Sequence, residues 1–368
     1  MTYRRAAIPA LVGGLLLTAL LWWAGASAHA LGLPGASNVF GVQSAVELRG
    51  WLLPWSYDRP YSLGGGASGA GNYAELYRTA MQIRFAALFA FFVPGALLLL
   101  RRLPPVEGRM PVTLLAVWAW GVVAGTLAVA VSAPWSIAAQ GNGSYRFLPQ
   151  LASVVASGRP VLVATTLLAA TVTVLVARVT AKGADSPPRQ AVPQQAARLA
   201  ATVGTVVVAV SLVVLSYQSV AAALQTVPGG GGRFGEPGDL LRQWLLLGAW
   251  TSPTDGALGD WLLYRCADVL LLAVVWLALR RLPALLTRAT VPAMAVGAVC
   301  ATVLGLLAAQ LLRLAIDDTA MAYGALHLFA GLGGNVPAAL TFGLVAGAAA
   351  TVTLRLAAGR AEEAATPA

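Results

Sequence analysis

Two cysteines, two histidines and one lysine, Lys182, are all that this 368-residue chain holds of the side chains that usually carry thiol, imidazole and amine chemistry. Cys266 and Cys300 are too few for a disulfide framework, form no C-x-x-C motif, and both fall inside apolar runs as buried free thiols do. His29 and His327 are the only imidazoles, so haem held between paired histidines and His/Cys metal spacing are both excluded, and no metal or cofactor is expected. Walker A, H-E-x-x-H and G-x-S-x-G motifs are missing, which removes the commonest nucleotide, zinc and serine-hydrolase readings. The stretch "SLGGGASGAGN" at 62–72 does contain a formal G-x-G-x-x-G. It lacks the flanking strand and βαβ unit that phosphate binding needs, so it reads as a flexible tether.

Charge is the other scarcity. Only 10% of the residues are charged, against 58% hydrophobic and a mean hydropathy of +0.74, which places the chain outside the soluble globular class. Apolar runs of bilayer length, ~20 residues, recur at roughly 6–30, 79–100, 111–133, 160–177, 199–224, 261–279, 289–312 and 336–354. Strict apolar/polar alternation is absent, which argues against a β-barrel. The expectation is an all-α polytopic membrane protein of about eight transmembrane helices.

A net charge of +10 invites a nucleic-acid reading, and the placement of the charges dismisses it. With the N-terminus in the cytoplasm and each run crossing once, the inner segments hold fourteen basic residues, from Arg4 and Arg5 to Arg355 and Arg360. They hold four acidic ones: Glu107, Asp185, Glu362 and Glu363. The outer segments carry ten of each sign, so the whole excess lies on one side, as the positive-inside bias requires. The basicity is a topology signal, and both termini are expected to be cytoplasmic. Arginine outnumbers lysine 23 to 1 in a chain dominated by Ala, Val, Leu and Gly, a composition that points to a bacterial plasma membrane. "MTYRR", an apolar run and "ASAHA" at 26–30 also have the outline of a signal peptide. The run is long for that role, and the repeat described next needs it as a retained helix.

The chain writes one loop twice. "RRLPPVEGR" at 101–109 returns as "RRLPALLTR" at 280–288. "ELYR" at 75–78 precedes the first copy and "LLYR" at 262–265 the second. Further upstream, "ELRGWLLPWS" at 47–56 matches "DLLRQWLLLGAWTS" at 239–252. Downstream, Gly121 and Gly125 of the third span answer Gly297, Ala301 and Gly305 of the seventh. Two four-helix repeats are therefore expected, parallel because four is even. The first half covers 1–177 with a long outer segment at 32–78, and the second covers 199–357 with an outer segment at 225–261. A Pro-, Gln- and Ala-rich cytoplasmic linker at 178–198 joins them, and 358–368 forms a disordered cytoplasmic tail. Arg-Arg pins each inner hairpin to the cytoplasmic side, and the proline that follows is expected to stop the helix. The outer segments contain short amphipathic stretches rich in Trp and Leu, suited to lying in the interface. Trp22, Trp23, Trp51, Trp55, Trp135, Trp244, Trp250 and Trp261 all fall toward that side, as an anchoring belt or a docking surface.

One intramembrane acid stands out. Asp268 lies twelve residues from the inner boundary at Arg280, ~18 Å up a core ~30 Å thick. An ionised carboxylate there costs at least ~2.5 kcal/mol unless paired, and Arg265, three residues earlier, shares its helix face. The first half offers only Arg84 near the matching position and no acid. The end of the seventh span adds Arg313, Asp317 and Asp318, followed by Tyr323 and His327; Arg313 and Asp317 are spaced i,i+4. If the sixth and seventh spans form a hairpin, this cluster joins Arg265 and Asp268, either as a ligand pocket at the outer mouth or as an ion-paired lock between helices. Gly121/Gly125, Gly297/Ala301/Gly305 and Gly343/Gly347 let helices approach closely, within the chain or in an oligomer.

Three functional classes fit these residues. A non-catalytic component of an envelope or secretion system, binding a membrane or extracytoplasmic protein partner, accounts for the scarcity of intramembrane charge and the absent catalytic motifs. A transporter or permease with its path between two tandem halves comes next. A membrane-embedded enzyme acting on a lipid-linked substrate comes last, since Asp268, Asp317, Asp318 and His327 would be its only acid–base groups.

Overall fold

Inside a bilayer no water satisfies backbone polar groups, so an apolar chain crosses it as helices that bond internally. The computed structural model describes residues 3–31, 42–57, 70–106, 108–139, 147–156, 159–181, 193–227, 237–250, 258–316 and 335–365. It contains no β-strand among them and eight helices long and apolar enough to span a membrane. The chain is an all-α, multi-pass membrane protein. The spanning helices are α1 (Tyr3–Ala30), α3 (Ala70–Arg102), α4 (Met110–Ala138), α6 (Arg159–Ala181), α7 (Gln194–Ala209, continued by a π-helical turn Val210–Leu215), α10 (Leu258–Leu285), α11 (Val291–Ile316) and α12 (Val336–Ala365). Shorter helices fill the connections: α2 (Val42–Leu52), α5 (Phe147–Ala156), α8 (Gln218–Gln225) and α9 (Gly238–Leu245).

Three boundaries differ from the sequence expectation. The fifth span does not run to 224. Its last turn widens to π geometry, Ser216 donates its hydroxyl to the Ser211 carbonyl at 2.7 Å, and the chain restarts as the separate helix α8. The second RRLP proline does not stop its helix, because Pro283 sits within α10, whereas α3 ends at Arg102 ahead of Pro104. The last helix runs on to Ala365, into the stretch 358–368 expected as a tail. Of the linker, α6 takes residues as far as Ala181 and α7 begins at Gln194; residues 182–192 lie outside the described set.

The spans close into two rings. α1 packs on α3 and α6, and α4 packs on the same two; α7 packs on α10 and α12, and α11 packs on those two. The rings meet along α4 and α11, the third and seventh spans, which are the most enclosed of the eight. Their composition explains this position, since Ala, Gly, Val and Thr on every face let the backbones draw close. At the seam the Cys300 thiol donates to the Ala116 carbonyl at 3.3 Å. The two RRLP loops also touch: the Thr287 amide donates to the Arg102 carbonyl at 2.9 Å, and Arg109 Nη1 donates to the Leu285 carbonyl at 2.9 Å. The bundle thus has an RRLP end and, opposite it, a far end where α2, α8 and α9 lie.

The glycine spacings are spent inside each ring. A Cβ on Gly343 would meet Val299 Cα at 2.6 Å, and one on Gly347 would strike the Ala295 backbone, so α12 seats directly on α11. Gly121 and Gly125 face Thr166 and Leu162 of α6, whereas Gly297 and Gly305 face Leu282 and Leu271 of α10. Ala301 is buried on α11. The glycines of the third span therefore look toward the fourth, and those of the seventh toward the sixth. They are not equivalent positions, and the match between them in the sequence is removed as an argument for duplication.

Candidate functional site

Of the polar side chains predicted to matter, Arg265, Asp268 and Arg313 meet at the far end between α10 and α11. Arg265 and Asp268 share one face of α10, one turn apart, and Arg265 Nη1 lies 2.8 Å from Asp268 Oδ2. Arg313, on the last turn of α11, reaches across with Nη2 2.6 Å from Asp268 Oδ1. The carboxylate, 3% exposed, is thus bracketed by two guanidinium groups that are 12% and 28% exposed. Among the described residues the group comprises two cations and one anion. Arg313, expected near Asp268 if the sixth and seventh spans form a hairpin, meets it from the neighbouring helix. Asp317, Asp318, Tyr323 and His327 lie outside the described residues. Among the described residues, no three His, Cys, Asp or Glu side chains come together as a metal would require.

Arg265 has a second task that the sequence did not advertise. Its Nη2 donates to the Ala249 carbonyl at 3.1 Å, and its guanidinium lies over the Trp250 ring at 4.3 Å and the Trp261 ring at 5.7 Å. Trp250 is fixed in turn, because its amide donates to the Ser216 carbonyl at 2.8 Å and its carbonyl accepts from the Gln218 amide at 2.9 Å. Gly248 donates to the Ser216 hydroxyl at 3.3 Å, and Ser211 donates to the Leu245 carbonyl at 2.5 Å. The π turn of α7 is where these bonds attach, and it frees serine side chains and carbonyls for the 239–250 segment to grip. One arginine therefore fastens the 239–250 segment to the sixth span, while Asp268 and Arg313 tie the sixth span to the seventh.

The first half builds the same fastening from other residues. Arg84 of α3, 3% exposed, donates from Nη1 to the Pro54 carbonyl and stands over the Trp55 ring at 5.9 Å. Pro54 precedes Trp55 as Ala249 precedes Trp250. Arg84 Nε donates to Ser132 Oγ of α4 at 2.8 Å, and the Ser132 hydroxyl donates in turn to the Val129 carbonyl at 3.0 Å. Ser132 lies 48 residues beyond Arg84, the same separation as Arg265 to Arg313. Trp55, 1% exposed, packs at 6.1 Å from Phe85, Tyr77 donates to the Ser56 carbonyl at 3.0 Å, and Gly25 of α1 leaves room for the Trp55 backbone. Among the described residues no acid pairs with Arg84. Its guanidinium is met by a hydroxyl, a carbonyl and a ring face.

Sequence reasoning missed this paired clamp because it treated the tryptophans as one group. Trp22, Trp23 and Trp135 are exposed on the bundle surface, in keeping with an anchoring belt. Trp55 and Trp250 are turned inward onto arginines, and the signal that finds them is the second Trp of each "WLLPW" and "WLLLGAW" segment. The "ELYR"/"LLYR" match paired Arg78 with Arg265, whereas the residue that plays the part of Arg265 is Arg84. Compared with protein-family models, with curated proteins and with solved structures, the chain matches none.

Proposed function

We propose that this chain is a non-catalytic membrane component of a bacterial envelope or secretion system, held in the plasma membrane with both termini in the cytoplasm. It is built from two parallel four-helix repeats and presents its outer segments to a protein partner. The observation that carries the reading is the fate of Asp268. The one acid well inside a span is neutralised by two arginines, and one of those also fastens an outer segment to the bundle. A coupling ion or a proton-transfer step needs a carboxylate free to change partners; here it is committed to holding spans together. Support for duplication comes from the matching clamps, Arg84 with Trp55 and Arg265 with Trp250, and from the identical order of contacts around each ring. The orientation rests on the charge asymmetry of the loops.

A transport path between the halves would run along α4 and α11. That seam joins the two most enclosed spans and is bridged by the Cys300 thiol on the Ala116 carbonyl. A fixed bundle that displays docked, tryptophan-rich segments on one side suits binding better than alternating access. The test is Asp268→Asn in the native host, read both as function and as folded protein. The scaffold reading expects loss of folded protein to account for loss of function. Full abundance with normal melting but abolished function would place Asp268 on a ligand path and overturn it.

A further inference from the structure

The two RRLP loops are written alike but sit differently. In the first, the Arg101 guanidinium lies over the Tyr3 ring of α1 at 3.9 Å, and the Arg102 carbonyl is taken by Thr287. In the second, the helix that packs in the place of α1 is α7, and it brings no aromatic ring: its first turn is Gln194, Gln195, Ala196 and Ala197. The space left is a cavity of about 370 Å³ between the RRLP ends of α7 and α10, lined by Gln194, Ala197, Leu277, Arg280, Arg281 and Pro283 among others. Arg280 is half-buried and backed by the Trp276 ring at 5.2 Å, while Arg281 and Gln194 are exposed. Among the described residues no acidic side chain lines the cavity. Leu277 and Ala284 border it and face outward from the bundle, Leu277 with 42% of its surface open.

We propose that this cavity is a binding site for the phosphate of an anionic phospholipid. Two guanidinium groups and an amide supply donors for phosphodiester oxygens. The cavity lies where a helix pair leaves the apolar layer, which is the depth of lipid headgroups. Its wall continues as Leu277 on the lipid-facing side of α10, where an acyl chain runs. Basic pockets between spans on the cytoplasmic side suit anionic headgroups for these reasons. At the matching loop of the first half, Arg101 lies against the Tyr3 ring.

The full-length protein, purified in mild detergent, is titrated with phosphatidylglycerol, with phosphatidylcholine and with inorganic phosphate, and lipid occupancy is read by native mass spectrometry. Arg280→Gln with Arg281→Gln is expected to weaken phosphatidylglycerol binding by about thirtyfold. Arg4→Gln with Arg5→Gln removes the same charge from exposed positions at the same end and is expected to change it less than threefold. Ala197→Leu fills the cavity at constant charge and is expected to lose the lipid while the protein stays monodisperse. Should the double arginine variant fail to fold, Ala197→Leu decides alone. Equal loss from both arginine pairs, or wild-type binding by Ala197→Leu, would overturn the site. Occupancy by inorganic phosphate without preference for the anionic lipid would assign the cavity to a soluble anion and overturn the lipid.

Discussion

Replacing Asp268 by Asn leaves the guanidinium groups of Arg265 and Arg313, 48 residues apart in the chain, on either side of an uncharged amide. Orphaning a buried charge costs about 3–5 kcal/mol, and the 28% exposure of Arg313 argues for the lower end, about 3 kcal/mol. That is a sizeable part of the 5–15 kcal/mol that holds an ordinary domain together, and it corresponds to a fall in melting temperature of roughly 5–10 °C. The first half shows how to repair the damage. Ser132 stands opposite Arg84 at the 48-residue spacing that Arg313 keeps from Arg265, so adding Arg313→Ser to Asp268→Asn rebuilds the acid-free clamp. Arg265 would then keep the Ala249 carbonyl and the Trp250 ring and gain a hydroxyl. The double variant is expected to recover more than half of the lost melting temperature in detergent, read by fluorescence-detected size exclusion after heating. A single variant as stable as the parent, or a double variant worse than the single, would refute the argument that charge compensation is what Asp268 supplies.

The other predictions test separate parts of the architecture. Gly347→Val drives a side chain into the α11 backbone at Ala295 and is expected to abolish folded protein by Western blot of membranes, whereas Gly50→Ala, with open space around it, is neutral. Trp55→Ala removes a fully buried ring from its clamp and should cost ~3–5 kcal/mol; Trp250→Ala, half-buried, should cost less, with melting temperatures ranking the two. In a background lacking both cysteines, Ser186→Cys is expected to resist an impermeant maleimide on intact cells and to label after lysis. Labelling from outside would reverse the topology.

The spans were legible because length and hydropathy alone decide membrane crossing, and so was the Arg265–Asp268 pair, because i,i+3 spacing places both on one helix face. The bond from Arg313 to Asp268 was legible only on condition that the sixth and seventh spans form a hairpin, because it depends on how α10 and α11 stack, which no short window contains. The end of the fifth span was hidden for a related reason. The apolar run continues past Ser216 and Tyr217, and the break comes from the outer segment bonding to the π turn rather than from any helix-stopping residue. Pro283 misled in the opposite direction, since a spanning helix tolerates proline where neighbours occupy the freed groups. Nor do the glycines announce which neighbour they face: Gly121 and Gly297 look alike in sequence and meet different helices.

What the chain holds on to in its membrane bears most directly on the proposed role. Purification from the native host into nanodiscs, followed by mass spectrometry of everything retained, is predicted to recover a stoichiometric protein partner that Trp55→Ala and Trp250→Ala release by unfastening the outer segments. A lone chain carrying a reproducible small molecule, lost in Asp268→Asn at unchanged stability, would contradict the scaffold and make the far-end cluster a ligand site.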